Sequence, residues 1–242
     1  MIVGRQTALF LDYDGTLVDL APTPEAARPT GDLVPLLQCL DGMLGGALAV
    51  LSGRTVADID RMLAPMQVTA AGVHGAEVRR AGSRVEQPEA SADLDAVRRL
   101  CRTLRQGEPR LRVEDKGPAI AIHYRAVPEA QAPVHEALRA TLSGAPDLEL
   151  IHGKMVFEVR RPGMHKGAVL HRLMQRPPFL GRVPLMIGDD RTDEDAFAMA
   201  LELGGGAIKV GDGETIAPSR LADPQSVRDT LRKAAATMKD AR

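Results

Sequence analysis

A chain of 242 residues is long enough to bury a sizeable core and to hold one or two domains. Its 44% hydrophobic and 26% charged residues are ordinary for a globular protein. The net charge of -1 supplies no global field for nucleic acid or an anionic membrane, and 2% aromatics without a Trp offer no platform for stacked bases.

No apolar run approaches the ~18 residues needed to span a bilayer, and the N-terminus lacks a signal-peptide pattern, so a cytoplasmic enzyme is expected. Cys39 and Cys101 are isolated in helix-like stretches and are expected to be buried, reduced thiols. The apolar run 8–11 predicts a short buried strand. It stops on Asp12-Tyr13-Asp14-Gly15, two carboxylates one residue apart before a Gly suited to a sharp turn. At ~4 Å and an effective dielectric near 20, two such charges repel by roughly 4 kcal/mol. A cation is therefore expected beside them, most simply Mg²⁺, which favours carboxylates together with substrate phosphate.

Ala21-Pro22-Thr23-Pro24 is expected to be loop, and Thr30 to cap a helix over 32–40. A second apolar strand, 47–51, ends on Ser52-Gly53-Arg54, and Thr55 caps a helix with Val56, Ile59 and Leu63 at helical spacing. A third strand, 68–71, ends on Gly72-Val73-His74-Gly75-Ala76-Glu77. Strands alternating with helices predict parallel βαβ packing.

The pattern changes from about residue 84 to 162, where helix 91–106, strands 111–115 and 119–125, helix 128–143, and strands 148–151 and 155–160 are expected. Lys116-Gly117-Pro118 and His152-Gly153-Lys154 read as hairpin turns. The repeated helix-strand-strand unit predicts an antiparallel sheet half covered by helices. Alternation puts Ile120, Ile122 and Tyr124 on one face and Ala121, His123 and Arg125 on the other; Met155, Phe157 and Val159 likewise oppose Lys154, Val156, Glu158 and Arg160. Such a sheet suits a lid over a polar ligand. The α/β pattern then resumes with a helix opened by Lys166, a strand 184–187 ending on Gly188-Asp189-Asp190-Arg191-Thr192-Asp193, a Thr192/Asp195 capping box, a strand 207–210 and a last helix 224–238.

Parallel strands would converge Asp12/Asp14, Ser52, Lys166 and Asp189/Asp190/Asp193 at one rim. The acid cluster would hold one octahedral Mg²⁺ while Ser52 and Lys166 meet phosphate oxygens. Asp12 could then be a carboxylate nucleophile forming an aspartyl-phosphate, with Asp14 protonating the leaving oxygen and later deprotonating water.

The pieces Asp12-x-Asp14-Gly15-Thr16, Ser52, Lys166 and Gly188-Asp189-Asp190 resemble the haloacid dehalogenase-like (HAD) phosphohydrolases in order and spacing. The insert before Lys166 resembles their type C2 cap. Ser52-Gly53-Arg54, the 72–77 loop, His123-Tyr124-Arg125, Gly153-Lys154-x-x-x-Glu158, His165-Lys166-Gly167 and Gly188-Asp189-Asp190-x-Thr192-Asp193-Glu194 narrow the resemblance to the trehalose-6-phosphate phosphatase family. It implies a Rossmann-like α/β core over 1–83 and 163–242 with an α+β cap inserted over 84–162.

The resemblance further implies Asp12, Asp14, Ser52 and Lys166 as catalytic residues. A Mg²⁺ site would be formed by Asp12, the Asp14 carbonyl and Asp189, with Asp190 and Asp193 as ligands or as groups behind them. Substrate contacts would come from Asp12, Tyr13, Asp14, Arg54, His74 and Glu77 on the core, and from His123, Arg125, Lys154 and Glu158 on the cap. The implied reaction is Mg²⁺-dependent hydrolysis of trehalose 6-phosphate by a monomer that binds neither nucleic acid nor membrane. The alternatives are another sugar phosphate, such as sucrose 6-phosphate, or a phosphotransferase or mutase on the same fold; a non-catalytic sensor is disfavoured by the intact Asp12/Asp14 pair.

Overall fold

The computed structural model describes residues 3–21, 27–86, 92–153 and 155–240. The expected loop at Pro22–Pro24, the start of the helix expected from residue 91, and Lys154 lie outside them. The chain divides into two compact units, Met1–Glu86 with His165–Arg242, and Gln87–Met164. Among the described residues no helix is long and apolar enough to cross a membrane.

The first unit begins with β1 (Thr7–Leu11), buried at every residue, which is why 8–11 is a continuous apolar run rather than an alternation. The helices α1 (Leu33–Met43) and α2 (Val56–Leu63) separate β2 (Leu48–Leu51) from β1 and from β3 (Thr69–Gly72), and a short β4 (Glu77–Arg79) follows. After the second unit, α5 (Lys166–Met174), β9 (Val183–Gly188), α6 (Glu194–Glu202), β10 (Gly206–Val210), β11 (Ser219–Leu221) and α7 (Pro224–Asp240) complete the first. Its sheet has the order β11-β10-β9-β1-β2-β3-β4. Each neighbouring pair is parallel except β3–β4. This is the α/β core that the alternation of strands and helices predicts.

Two edge strands, two caps and one thiol depart from expectation. β4 and β11 are three residues each and carry no run of apolar residues, so pairing with a neighbour, not local pattern, makes them strands. Thr30 does not cap α1; Asp32 occupies that position without a side-chain cap, and Thr30 Oγ1 donates to its carboxylate instead. The capping box at the end of β9 is formed by Asp190 and Asp193 on the one-turn helix Arg191–Asp193, two residues earlier than a Thr192/Asp195 pair would place it. The Asp193 side chain turns inward to serve the site described below, which moves the helix start to Glu194. Cys101 is a buried free thiol as expected, whereas Cys39 is only half-buried.

Thr55 does cap α2, accepting from the Asp58 amide at 3.1 Å. Behind the turn after β1, Arg228 of α7 is 4% exposed and donates to the Leu17 carbonyl at 2.9 Å, fastening that turn from below.

The second unit contains α3 (Ala92–Gly107), β5 (Arg112–Asp115), β6 (Ala119–His123), α4 (Gln131–Leu142), β7 (Glu149–Gly153) and β8 (Val156–Arg160). Its antiparallel sheet has the order β5-β6-β8-β7. Ile120, Ile122, Tyr124, Phe157 and Val159 pack with Leu94, Val97, Val134 and Leu138 in one core, on the face that alternation assigns to burial.

Candidate active site

The site is built where β1 and its two sheet neighbours end. Leu11 stands in register with Val50 of β2 and Ile187 of β9, so the residues that follow each strand emerge together. Asp12 donates its amide to the Ile187 carbonyl at 2.9 Å, prolonging the pairing by one residue. The chain then turns: the amides of Leu17 and Val18 donate to the Tyr13 carbonyl, and Gly15 adopts φ +80°. A Cβ at Gly15 would lie 2.2 Å from Asp189 Oδ2, so the turn has room only for glycine. Gly15→Ala should cost at least about 1–2 kcal/mol for the left-handed backbone alone and push Asp189 away. A urea-unfolding midpoint equal to that of the unaltered chain would contradict this.

Lys166, 2% exposed at the first position of α5, lies at the centre of the acids. Its Nζ donates to Asp12 Oδ1 at 2.6 Å and to Asp193 Oδ1 at 2.7 Å. A cation at a helix N-terminus opposes the macrodipole, and here the two carboxylates offset it. Asp193, 0% exposed, also accepts from the Asp190 amide with Oδ2 at 3.0 Å. Asp189 accepts from Thr16 Oγ1 at 3.4 Å.

Burial holds the Asp12 carboxyl well above the ordinary carboxylate range; Lys166 pulls it down while Asp193 and Asp189 push it up. Burial, then the Asp193 charge, raises Asp189 to about 6. Burial lowers the Lys166 ammonium, but Asp12 and Asp193 outweigh it and hold the group above the usual lysine value. Lys166 is paired with the Asp12 and Asp193 carboxylates and leaves Asp189 without an ammonium on its side chain, so the cluster is short of positive charge. Asp12, Asp189 and Asp193 each present an oxygen, and these oxygens lie within 4.8 Å of one another. An all-oxygen acidic set fits a hard divalent cation. Both Asp193 oxygens are already engaged, which leaves Asp12 and Asp189 as the better-placed donors.

Asp14 faces another way. Arg54 grips it with two bonds of 2.6 Å, Nε to Oδ2 and Nη2 to Oδ1, a bidentate pair that is strong because both partners are ionic. The guanidinium carbon lies 5.7 Å from the centre of the Tyr13 ring. Ser52, 1% exposed, accepts from the Arg54 amide at 3.1 Å with Oγ, and its carbonyl accepts from the His74 amide at 3.0 Å. Val73 and His74 have φ of 49° and 54°. A left-handed β-branched residue is a local strain, held here by the Val73 amide donating to the Arg54 carbonyl at 2.8 Å.

Other residues singled out in the sequence fall elsewhere. Tyr13 is 0% exposed, so its side chain packs in the core of the first unit and does not line the site. Glu77 is buried and its Oε2 accepts from the Val56 amide at 2.7 Å, serving the N-terminus of α2 where an anion is favoured. Asp190 is exposed, with Oδ1 accepting from the Arg191 amide, and is not among the three clustered acids. In the second unit His123 Nε2 and Glu114 Oε2 are 3.3 Å apart, and that contact holds the Glu114 carboxyl below its ordinary value. Glu158 lies 3.9 Å from Lys116 and 3.8 Å from Arg160, and burial pushes its carboxyl up. Arg125 is exposed beyond the end of β6. The motifs leave Glu114 and Lys209 unmarked and give Lys116 only as a turn residue; a lone lysine inside the apolar strand 207–210 is the available signal for Lys209.

Residues 10–225 match the trehalose-phosphatase family. A probable trehalose-phosphate phosphatase of Sinorhizobium fredii is 40% identical over 205 residues, covering 84% of this chain and 77% of that protein. The trehalose-6-phosphate phosphatase of Escherichia coli is 39% identical over 223 residues, covering 89% of this chain and 81% of that one. Among solved structures, a trehalose-6-phosphate phosphatase related protein aligns with a TM-score of 0.78 at 28% identity, over 97% of this chain and 99% of its own.

Proposed function

The chain belongs to the trehalose-phosphatase family, and from that premise we propose that it hydrolyses trehalose 6-phosphate to trehalose and inorganic phosphate. The observation that carries the reading is Asp12 itself. It is a buried carboxylate fixed by Lys166 at 2.6 Å, with Asp189 and Asp193 close enough to share a cation.

Asp12 would attack the phosphorus as the bond to the sugar 6-oxygen breaks, and Asp14 would deliver the proton that the departing oxygen needs. Asp14 would then take a proton from water as that water displaces the Asp12 carboxylate from phosphorus, releasing phosphate and restoring the enzyme. Because both Asp14 oxygens accept from Arg54, proton delivery requires that pair to open. Lys166 keeps Asp12 aimed and shares in neutralising the phosphate, and Ser52 supplies a hydroxyl to it. Asp12 and Asp189, with the Asp14 carbonyl, would hold Mg²⁺, which when bound neutralises phosphate charge and favours in-line displacement. His123, Arg125, Lys154 and Glu158 are proposed to contact sugar hydroxyls. A cytoplasmic monomer acting on a free sugar phosphate completes the reading.

The test is phosphate release from a panel of sugar phosphates, with Mg²⁺ and with chelator. Trehalose 6-phosphate should have the highest kcat/KM, and chelator should abolish turnover. A tenfold preference for another sugar phosphate would overturn the substrate.

A second expectation follows from Asp189. Cation binding must displace the proton from a carboxyl that titrates at about 6. Mg²⁺ affinity should therefore climb between about pH 5 and about pH 7, by up to about tenfold per unit on the acid side for Asp189 alone, and the raised Asp12 carboxyl adds to the rise. Folding raises this group above its unfolded value of 3.8. Its contribution to metal-free stability is thus complete below that value and is lost as pH rises through about 6, and Mg²⁺ should cancel that loss. Calorimetric affinities that do not vary with pH would contradict this.

A further inference from the structure

Lys209 is the penultimate residue of β10, beside Gly188 of β9, between Ile208 and Val210 of the hydrophobic core. It is 5% exposed. A buried ammonium is tolerated only with hydrogen-bond acceptors around it, and here Nζ donates to the Asp189 carbonyl and to the Val210 carbonyl, both at 2.6 Å.

The choice of acceptor matters. Lys166 neutralises the acid cluster by occupying carboxylate oxygens of Asp12 and Asp193. Lys209 brings a second buried cation one peptide from the Asp189 carboxylate and donates to main-chain oxygen, so it takes no carboxylate oxygen from the cluster. The Asp189 side chain receives a weak hydroxyl bond, Thr16 Oγ1 at 3.4 Å, and faces a Gly15 with no Cβ to brace it. Its aim therefore depends on its backbone as well as on its neighbour Asp12, and the Asp189–Asp190 peptide is held at both ends, its carbonyl by Lys209 and its N–H by Asp193 Oδ2.

We propose that Lys209 is a positioning residue: it fixes the Asp189 peptide so that the Asp189 carboxylate stands ready beside Asp12 for the divalent cation. This rests on the reading of Asp12 and Asp189 as cation ligands.

The experiment is calorimetric titration of Mg²⁺ into the substrate-free protein, comparing the unaltered chain with Lys209→Met, alongside thermal unfolding of both without metal. Lys209→Met should bind Mg²⁺ at least tenfold more weakly. Lys209→Gln, which keeps a donor, should show a smaller loss in the same direction, and it replaces Lys209→Met should that variant not fold. Mg²⁺ affinity is the readout that a purely packing role leaves untouched. Folded variants that bind Mg²⁺ as tightly as the unaltered chain, whatever their unfolding midpoints, overturn the proposal. Failure of the unaltered chain to bind Mg²⁺ would instead overturn the metal reading on which it rests.

Discussion

Asp12→Asn is expected to slow phosphate release from trehalose 6-phosphate by about 10⁴-fold or more, with the fold intact. The amide is isosteric with the carboxylate but a poor nucleophile, and losses of this order accompany removal of a covalent catalyst. The fold should tolerate it for an electrostatic reason. Burial already works against ionised Asp12, and Asp193 and Asp189 repel it, so removing its charge relieves both penalties while Lys166 keeps Asp193. The net change in stability should stay within about 2 kcal/mol. Urea unfolding together with a phosphate-release assay separates the two effects. An Asp12→Asn variant retaining a hundredth of the activity would mean that another group attacks the phosphorus.

Lys166→Met should fail in the opposite way, damaging stability and turnover together. It leaves Asp12 at 5% exposure and Asp193 at 0% without their shared cation. Breaking a buried pair by removing one partner typically costs about 3–5 kcal/mol, since the remaining charge is stranded. At about 2–4 °C per kcal/mol for a chain of this size, the unfolding midpoint without Mg²⁺ should fall by roughly 6–20 °C. Adding Asp193→Asn should recover part of that loss without recovering activity, because the repulsion is relieved but Asp12 has lost its guide. A Lys166→Met midpoint within about 2 °C of the unaltered chain would contradict the arrangement of charges described above.

How far the sequence can be read depends on how local each cause is. The buried strands were legible because a strand covered on both faces is mostly apolar, as over 8–11 and 184–187. The acids were legible because they follow such strands, and parallel strands end at one rim. The two faces of the second unit's sheet were legible from alternation with a period of two. What could not be read is set by partners far away in the chain. Glu77 sits in a loop rich in functional-looking residues, yet its carboxylate serves the amide of Val56, twenty-one residues earlier. Nothing local tells Asp190 from Asp193; one turns to its neighbour's amide and the other reaches inward to Lys166. The short strands Glu77–Arg79 and Ser219–Leu221 exist because an edge was open for pairing. Lys209 was passed over because a lysine in an apolar strand has no meaning until its carbonyl acceptors are known.

Covalent attack by Asp12 is the central step proposed for this chain, and rapid acid quench after mixing enzyme with radiolabelled trehalose 6-phosphate tests it most directly. The label should appear, in the unaltered protein, on the peptide containing Asp12, should be removed by hydroxylamine as an acyl phosphate is, and should be missing in Asp12→Asn. Turnover of the substrate with no label on that peptide at any quench time, or with the label on a different residue, would contradict it.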